Sequence, residues 1–343
     1  MTQSNVSLYV DENTNLLVRH GPIPEPSDGE ILIQTSYSGI NPADVKHATQ
    51  LGIYPAVMGY DFCGKVIKTT PSSQFTIGDC IAGYTPTGLG RPEKYGTHQS
   101  YLVCREDMVF RVPGHLPEHH AACLAVVAMT AADGLYNLVR LPLPTEGKAN
   151  SGLLIWGASS SVGVCAVQFA SASGVFPIIV TASPGRHDML KRLGATHCFD
   201  YKSPSIVSDI QTVTGNGPIA HAFDTVGGPG SAESMADCVS DTTSLLSVVV
   251  QRDPRFKMPL ATTQDGVSLR IQGVPHPITI PARPDDAKRA WKAFQWAVGH
   301  YGQQFELPVV ELFEGRAEDA LRELEASAEG RGFGKLVLRH PLK

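Results

Sequence analysis

Residues 153–163 read Leu-Leu-Ile-Trp-Gly-Ala-Ser-Ser-Ser-Val-Gly, and a helical stretch follows them. An apolar run that breaks into a turn of small residues before a helix is typical of a strand, a phosphate-binding turn and a helix start. The amides and the dipole at such a helix start favour an anion. The glycines are Gly157 and Gly163, whereas Ser160 stands at the middle position of the dinucleotide fingerprint. Alternatively, Ser159, Ser160 and Ser161 form an ordinary helix N-cap cluster.

A second apolar run, residues 175–182, follows at the spacing of a parallel βαβ unit. In NAD sites an acidic residue at the end of this strand binds the ribose 2′-hydroxyl. Here residues 181–187 read Thr-Ala-Ser-Pro-Gly-Arg-His, and the first carboxylate is Asp188. Because Ser183 and Arg186 suit a 2′-phosphate, the sequence predicts NADPH. The alternative is that Arg186 only begins the next helix.

Further apolar runs alternate with helical stretches downstream, at residues 198–201, 219–224 and 245–250. This alternation predicts an α/β fold with a doubly wound parallel (Rossmann) sheet, with the nucleotide across the carboxyl ends of its strands. The first third differs, because residues 30–39 alternate like a strand and short runs are separated by Gly and Pro turns. It therefore predicts a β-rich domain. The C-terminal end returns to a helix and a last strand at 335–338.

The composition of the 343 residues excludes several classes of function. A hydrophobic content of 42% with 18% charged residues is typical of a globular protein with a sizeable core. The formal charge of −5 gives no electrostatic footprint for nucleic acid or an anionic membrane. No stretch approaches the roughly 20 apolar residues of a membrane span, and residues 1–30 lack a signal-peptide core, so we expect a cytoplasmic protein.

Cysteine usage gives no framework for disulfides or zinc. The seven cysteines form an odd set without a C-x-x-C pair. We therefore expect them to be small buried hydrophobic residues.

Short motifs recur in a fixed order along nearly the whole chain. They are Gly39-Ile-Asn-Pro-Ala-Asp-Val-Lys46, Gly59-Tyr-Asp-Phe-Cys-Gly64, Gly78-Asp79, Thr130-Ala-Ala132, the turn of residues 157–163, Leu193-Gly-Ala195, Phe223-Asp-Thr-Val-Gly-Gly228 and Gly334-Lys335. This order resembles the medium-chain dehydrogenase/reductase superfamily. The resemblance implies a GroES-like catalytic and substrate domain of residues 1–124 and 276–343, which encloses a Rossmann NADPH-binding domain of residues 125–275.

The zinc alcohol dehydrogenases of that superfamily carry a Cys where this chain has Asn41 and a His where it has Tyr60. The four-cysteine lobe for a second zinc is also missing between residues 84 and 108. Because zinc needs three or four converging ligands, we expect no catalytic metal and no stoichiometric zinc in the protein. The neighbouring His119 and His120 point in different directions and are expected in a solvated loop.

Within the zinc-free branch, the chain is similar to the stand-alone enoyl reductases that act in trans on fungal polyketide synthases. It shares with them the Ser-Ser-Ser-Val turn, the Asn-Pro-x-Asp-x-Lys segment and the Ser-Pro after the second strand, but departs from them at residues 185–187. The resemblance implies NADPH-dependent reduction of an enoyl chain, a carrier-bound polyketide intermediate, with a synthase as partner. The expected cofactor-binding residues are Asp44, Val45, Lys46, His47, Ser159, Ser160, Ser161, Val162, Ser183, Arg186, Tyr201, Leu246 and Gly334.

Enoyl reduction needs a donor for the developing enolate oxygen and a proton for the α-carbon. The resemblance places Lys46 and Thr130 beside the cofactor, and Tyr54 is a candidate proton donor. In the alternative interpretation, Lys46 is a surface lysine paired with Asp44, Tyr54 is a half-buried aromatic residue and Thr130 bonds its own backbone. Solvent is then the proton source.

Two other functions stay open: a quinone or enone reductase acting on free small molecules, and a non-enzymatic NADPH-binding protein. Chain order places the edge of the nucleotide-binding sheet near residues 268–280, where Pro275 and Pro277 remove ladder donors. Since prolines block edge-to-edge pairing, the sequence predicts a monomer. The alternative is a dimer that pairs upstream of Pro275.

Overall fold

The computed structural model describes residues 4–149, 151–214, 219–271 and 273–343. The strands are β1 (Asn5–Val10), β2 (Leu16–Gly21), β3 (Glu30–Gly39), β4 (Ala56–Val57), β5 (Asp61–Lys68), β6 (Cys80–Tyr84), β7 (Tyr101–Arg105), β8 (Val109–Arg111), β9 (Gly152–Trp156), β10 (Ile178–Thr181), β11 (His197–Phe199), β12 (Ile219–Asp224), β13 (Ser244–Ser247), β14 (Phe256–Lys257), β15 (Val267–Leu269), β16 (Ile278–Ile280), β17 (Val310–Phe313) and β18 (Lys335–Arg339). The helices are α1 (Ala43–Leu51), α2 (Glu118–Ala121), α3 (Ala125–Ala132), α4 (Ser161–Ala172), α5 (His187–Arg192), α6 (Ile206–Thr214), α7 (Ser231–Ala236), α8 (Pro284–Gly299) and α9 (Ala317–Ala328). A π-helical segment, Asp133–Leu138, continues α3.

The chain forms two compact units, each assembled from separate stretches. The first unit comprises Met1–Val126, Asp265–Arg283 and Pro308–Lys343, and the second comprises Val127–Gln264 and Pro284–Leu307. This division differs from the predicted boundaries, 1–124 with 276–343 and 125–275, because residues 265–275 lie in the first unit and residues 284–307 in the second.

Packing explains both differences. Strands β15 and β16 form an antiparallel hairpin whose Val267 and Leu269 pack with Ile53 of the first unit. Helix α8 packs in the second unit, where Asn137 Nδ2 donates a hydrogen bond to the carbonyl of Asp286 at 2.9 Å. The periodic pattern of each element is visible in the sequence, but the partner of its apolar face is not.

The second unit contains a parallel sheet with the strand order β11-β10-β9-β12-β13-β14. This order is that of the dinucleotide-binding doubly wound fold, and the order reverses between β9 and β12. The predicted α/β class and doubly wound sheet are confirmed. The predicted sheet edge at residues 268–280 is wrong, because the outer strands of the described sheet are β11 and β14 and the 268–280 segment holds the separate hairpin.

The first unit is β-rich, as predicted. Its main sheet runs β17-β18-β3-β5-β6-β8, with β7 also paired to β3, and a smaller sheet runs β2-β1-β4. The inner residues of the main sheet form one buried cluster, which includes Ile31, Ile33, Phe62 and Leu102. The C-terminal strand β18 lies beside β3, so the two ends of the chain close this unit together.

The prediction of a solvated loop at His119 and His120 is wrong. Both residues lie in the short helix α2, half-buried, with ring centroids 4.5 Å apart. Burial, with the neighbouring His119 ring, lowers the pKa of His120 to about 4. Pro117 at the helix start and the packing of α2 on β5 override the polar character of the pair.

Five of the seven cysteines are buried, whereas Cys80 and Cys198 are half-buried. None of the described helices is long and apolar enough to cross a membrane.

Candidate functional site

The turn between β9 and α4 is built by glycine geometry. Gly157 adopts φ +72°, and a Cβ there would lie 1.9 Å from Val226 Cγ2. A Cβ on Gly163 would lie 2.7 Å from Ala158 Cα, so this glycine lets the helix start pack directly on the turn. Both positions exclude a side chain, which is the reason for glycine at the two ends of the motif.

Ser160 is the N-cap of α4. Its Oγ accepts a hydrogen bond from the amide of Gly163 at 3.0 Å and donates to Thr225 Oγ1 at 3.0 Å. The capping interpretation of this serine is therefore the observed one, and its hydroxyl is occupied inside the protein. The side chains of Ser159 and Ser161 and that of Val162 remain half-exposed around the helix start.

Two threonines hold the turn in place, and neither was predicted from the sequence as a site residue. Thr225 Oγ1, just after β12, donates to the carbonyls of Trp156 and Gly157 at 2.9 and 3.0 Å. Thr181 Oγ1, at the end of β10, accepts from the amide of Gly157 at 3.0 Å. The signal in the sequence is a hydroxyl residue at the end of each neighbouring strand, since the carboxyl ends of parallel strands meet at one edge.

The end of β10 carries a hydroxyl and a guanidinium group. Ser183 is exposed and Arg186 is half-buried, and a single turn of 3₁₀ helix, Pro184–Arg186, separates β10 from α5. The first carboxylate, Asp188, lies inside α5. His187 bonds through Nε2 to the carbonyl of Ala182 at 3.0 Å. A cationic and hydroxylic end of the second strand is suited to a phosphate rather than to a ribose hydroxyl.

The remaining predicted residues of the second unit differ in accessibility. Tyr201 follows β11 and is 42% exposed, so its ring is available to a ligand. Leu246 lies in β13 with no exposed surface, so its side chain belongs to the core and only its backbone can face a ligand. Thr130 is half-buried on α3.

In the first unit, α1 carries the predicted residues Asp44 to His47. Asp44 is buried, and its Oδ2 accepts from the amide of Asn41 at 2.8 Å and contacts His98 Nε2 at 3.0 Å. The alternative Asp44–Lys46 pair is therefore not formed. Lys46 is half-buried, and no side chain in the described part of the chain bonds to its ammonium group. Asp44 Oδ1 is buried, and no described residue bonds to it.

His47, Tyr60 and Thr87 form a compact polar group beside α1. His47 Nδ1 lies 2.9 Å from Tyr60 Oη, and Thr87 Oγ1 donates to the same Oη at 3.2 Å. Burial lowers the pKa of His47 to about 4 and raises the pKa of Tyr60. The imidazole is therefore neutral near pH 7, and the phenol donates its proton to Nδ1. Thr87 carried no signal in the sequence.

Asn41 belongs to a second buried polar group. Its Nδ2 donates to Asp61 Oδ2 at 2.9 Å, and its Oδ1 accepts from Lys335 Nζ at 2.7 Å. Asp61 Oδ1 accepts from the amide of Val126 at 2.8 Å, and burial raises the pKa of Asp61 to about 6. Within the described residues, no three His, Cys, Asp or Glu side chains converge at Asn41 and Tyr60.

The other predicted residues of the first unit differ in exposure. Tyr54, in the loop after α1, is 39% exposed. Val45 is half-buried and packs against the core cluster of Leu8 and Leu338. Gly334 is exposed, and its φ of +88° precedes β18.

Two family profiles match the chain. The profile of the alcohol dehydrogenase GroES-like domain matches residues 27–114, and that of the zinc-binding dehydrogenases matches residues 161–273. The first match lies in the β-rich unit, and the second covers most of the parallel sheet.

Curated relatives include several fungal enzymes. The trans-enoyl reductase resD of Aspergillus sclerotiorum is 33% identical over 258 residues, which are 69% of this chain and 72% of the relative. The trans-enoyl reductase ACTTS2 of Alternaria alternata is 29% identical over 304 residues, which are 84% of this chain and 85% of the relative.

Solved structures share the fold over the whole chain. The quinone oxidoreductase of Coxiella burnetii has a TM-score of 0.70 at 22% identity and covers 98% of this chain and 99% of its own. A putative zinc-dependent alcohol dehydrogenase of Rhizobium etli has a TM-score of 0.75 at 23% identity and covers 99% of each chain.

Proposed function

Since the chain belongs to the zinc-independent medium-chain dehydrogenase/reductase family, and so is an oxidoreductase with a nicotinamide cofactor, we propose that it uses NADPH to reduce an enoyl chain. The double bond is the α,β-double bond of a carrier-bound polyketide intermediate, and the protein acts in trans with a polyketide synthase. The names of the trans-enoyl reductases among its relatives support this reaction. The observation that carries the cofactor proposal is the glycine turn beside a second strand that ends without a carboxylate.

The residues at the carboxyl edge of the parallel sheet fit a dinucleotide phosphate. A Cβ at Gly157 would collide with Val226 and one at Gly163 with Ala158, so only glycine allows the tight turn before α4. We assign the pyrophosphate to residues 159–162 and the 2′-phosphate to Ser183 and Arg186. The further contacts that we assign to the cofactor are the ring of Tyr201, the backbone of Leu246, Gly334 and the α1 residues Asp44, Val45, Lys46 and His47.

When bound, the reduced nicotinamide supplies the hydride for the β-carbon of the substrate. Lys46 is proposed to donate a charged hydrogen bond to the enolate oxygen, because its ammonium group has no described partner and Asp44 is occupied by His98. Tyr54 is proposed to deliver the proton to the α-carbon, since its exposed position gives it access to a bound acyl chain. Thr130 is proposed as a further hydroxyl donor on α3.

A paired assay tests the proposed function. NADPH oxidation is followed with an enoyl chain attached to an acyl carrier. In parallel, it is followed with a free small enone that carries the same α,β-double bond. We expect a higher kcat/KM for the carrier-bound chain. A free enone that reacts as well or better would identify a quinone or enone reductase. Tight NADPH binding without turnover of either substrate would identify a non-enzymatic binding protein.

We also propose that the protein is a monomer. The outer strands of the described second-unit sheet, β11 and β14, are three and two residues long, and Pro254, two residues before β14, has no amide donor. Such short edge strands are poorly suited to pairing with a second sheet. Light scattering should therefore give a mass near 36.8 kDa, and a mass near twice that value would contradict the proposal.

A further inference from the structure

Two cysteines and a glutamate converge in the first unit. Cys63 lies on β5, Cys80 begins β6, and Glu118 begins α2, which packs over both strands. The two sulfurs and a Glu118 carboxylate oxygen all lie within 4.8 Å of one another. Cys63 is buried, Cys80 is half-buried and Glu118 is exposed, so the group opens to solvent on one side.

The spacing of the two sulfurs is that of a tetrahedral zinc site. Cys63 Sγ and Cys80 Sγ are 3.8 Å apart. Two zinc–sulfur bonds of about 2.3 Å that meet at a tetrahedral angle separate their sulfurs by about 3.8 Å. The carboxylate oxygen supplies a third ligand of a type that zinc accepts, and the solvent side leaves room for water as the fourth.

The sheet register argues against a disulfide between the same two residues. Cys63 pairs with Ala82, and Cys80 pairs with Lys65, so the two cysteines are diagonal neighbours across β5 and β6. Diagonal neighbours in an antiparallel pair have Cα atoms about 7–8 Å apart. A disulfide does not span more than about 7 Å without backbone movement, whereas a metal ion placed between the sulfurs spans that separation.

We propose that Cys63, Cys80 and Glu118 bind one zinc ion, with water as the fourth ligand. The ion would join α2 to the main sheet. Helix α2 leads to Val126, whose amide donates to the buried carboxylate of Asp61. Zinc bound here would therefore stabilise the fold of the first unit. The proposal departs from the expectation of a zinc-free protein, whereas the expectation of no catalytic zinc at Asn41 and Tyr60 is unaffected.

Cobalt(II) titration of the full, metal-stripped chain tests the proposal. We expect one Co²⁺ per chain with a thiolate-to-cobalt charge-transfer band, displacement of that band by Zn²⁺, and a higher Tm in the presence of Zn²⁺. Cys63→Ser and Cys80→Ser should each abolish the band, and Glu118→Gln should weaken binding by more than about tenfold. Cys198→Ser, at the other half-buried cysteine, is the matched control and should bind cobalt normally.

Because Cys63 is buried and its variant can misfold, Cys80→Ser and Glu118→Gln carry the test at the solvent-facing positions. Absence of a thiolate band in the wild type, or a band that survives Cys80→Ser, would overturn the proposal. Loss of two titratable thiols under mild oxidation, restored by a reductant and removed by Cys80→Ser, would instead identify a disulfide pair and would also overturn it.

Discussion

The turn before α4 and the buried polar network of the first unit are built in opposite ways. In the turn, Ser160 caps an amide three residues away, and two glycines set the backbone. In the network, Ser38 Oγ lies 2.8 Å from both His98 Nδ1 and His340 Nε2, which are 60 and 302 residues distant in the sequence. The turn is set by residues close in the sequence and supported by Thr181 and Thr225, whereas the network consists of contacts between distant segments of the chain.

Variants in the two regions should therefore affect different measured quantities, namely cofactor affinity for the turn and the free energy of unfolding for the network. Variants of Ser160 that keep the helix cap should change cofactor affinity and leave the free energy of unfolding nearly constant, because we assign the ligand to the backbone there. Variants in the network should change the free energy of unfolding, because removal of one partner leaves another buried polar group without its bond. The predictions below test this separation.

The largest effect is expected for Lys335→Met. Lys335 belongs to the same network, because its partner Asn41 donates a backbone amide hydrogen bond to Asp44, which contacts His98. Lys335 is 5% exposed, and its ammonium group donates to Asn41 Oδ1. The Nδ2 of the same side chain donates to Asp61. Loss of this buried cation should destabilise the fold by about 3 kcal/mol, as measured by urea unfolding. Lys68→Met removes an exposed ion pair with Glu25 and should leave the free energy of unfolding nearly unchanged. Equal effects of the two variants would show that the network does not stabilise the fold.

Ser160→Asp should weaken NADPH binding by about 100-fold or more. Aspartate caps a helix as well as serine does, so α4 should persist, but its charge lies where we assign the pyrophosphate. Ser160→Asn is the matched neutral control, since it also caps the helix. Calorimetry gives the affinities and thermal unfolding gives the stabilities. If the Asp and Asn variants bind NADPH alike, the phosphate lies elsewhere.

His340→Gln should flatten the dependence of stability on pH. Burial lowers the pKa of His340 to about 3, whereas an unfolded imidazole titrates near about 6.5. As the pH falls from about 6.5 towards 3, the unfolded chain binds a proton that the fold does not, so stability is lost across this window. The variant should reduce that loss by up to about 1.4 kcal/mol per pH unit in urea unfolding.

His20→Gln, at an exposed imidazole on β2, is the control for that measurement. His47 and His120 also have lowered pKa values, of about 4, so His340→Gln should keep part of the pH dependence. If His340→Gln leaves the pH dependence of the free energy of unfolding unchanged, His340 is not buried as a neutral group.

The smallest effect is expected for Arg186→Ala. If Arg186 binds the 2′-phosphate, its loss should narrow the preference for NADPH over NADH by about tenfold. Arg192→Ala, exposed in the last turn of α5, removes the same kind of charge six residues further along the chain and should not change the preference. Equal affinities of the wild type for both cofactors would reject the assignment.

The contrast between the turn and the long-range network also explains which features can be predicted from the sequence. The strands of the parallel sheet and the turn of residues 157–163 follow from local patterns of apolar and small residues, and they were predicted. Thr87, His98 and His340 meet partners that are far away in the chain, so a single sequence carries no signal for their contacts. The edge of the sheet was misplaced at residues 268–280 because chain order does not reveal that this hairpin packs on Ile53.

The convergence of Cys63, Cys80 and Glu118 was also missed. Their spacing matches no zinc motif, since a strand register and a helix start bring them together rather than a short loop. The expectation of buried cysteines holds for five of the seven, and Cys80 is one of the two that differ.

The central claim is that this chain transfers hydride from NADPH to a carrier-bound enoyl chain. The most direct measurement uses NADPH with deuterium at the transferable position and mass spectrometry of the acyl chain after its release from the carrier. We expect a product with two more hydrogens than the substrate, one of them deuterium at the β-carbon. A reduced product without deuterium, or an unchanged chain in the presence of bound NADPH, would contradict it.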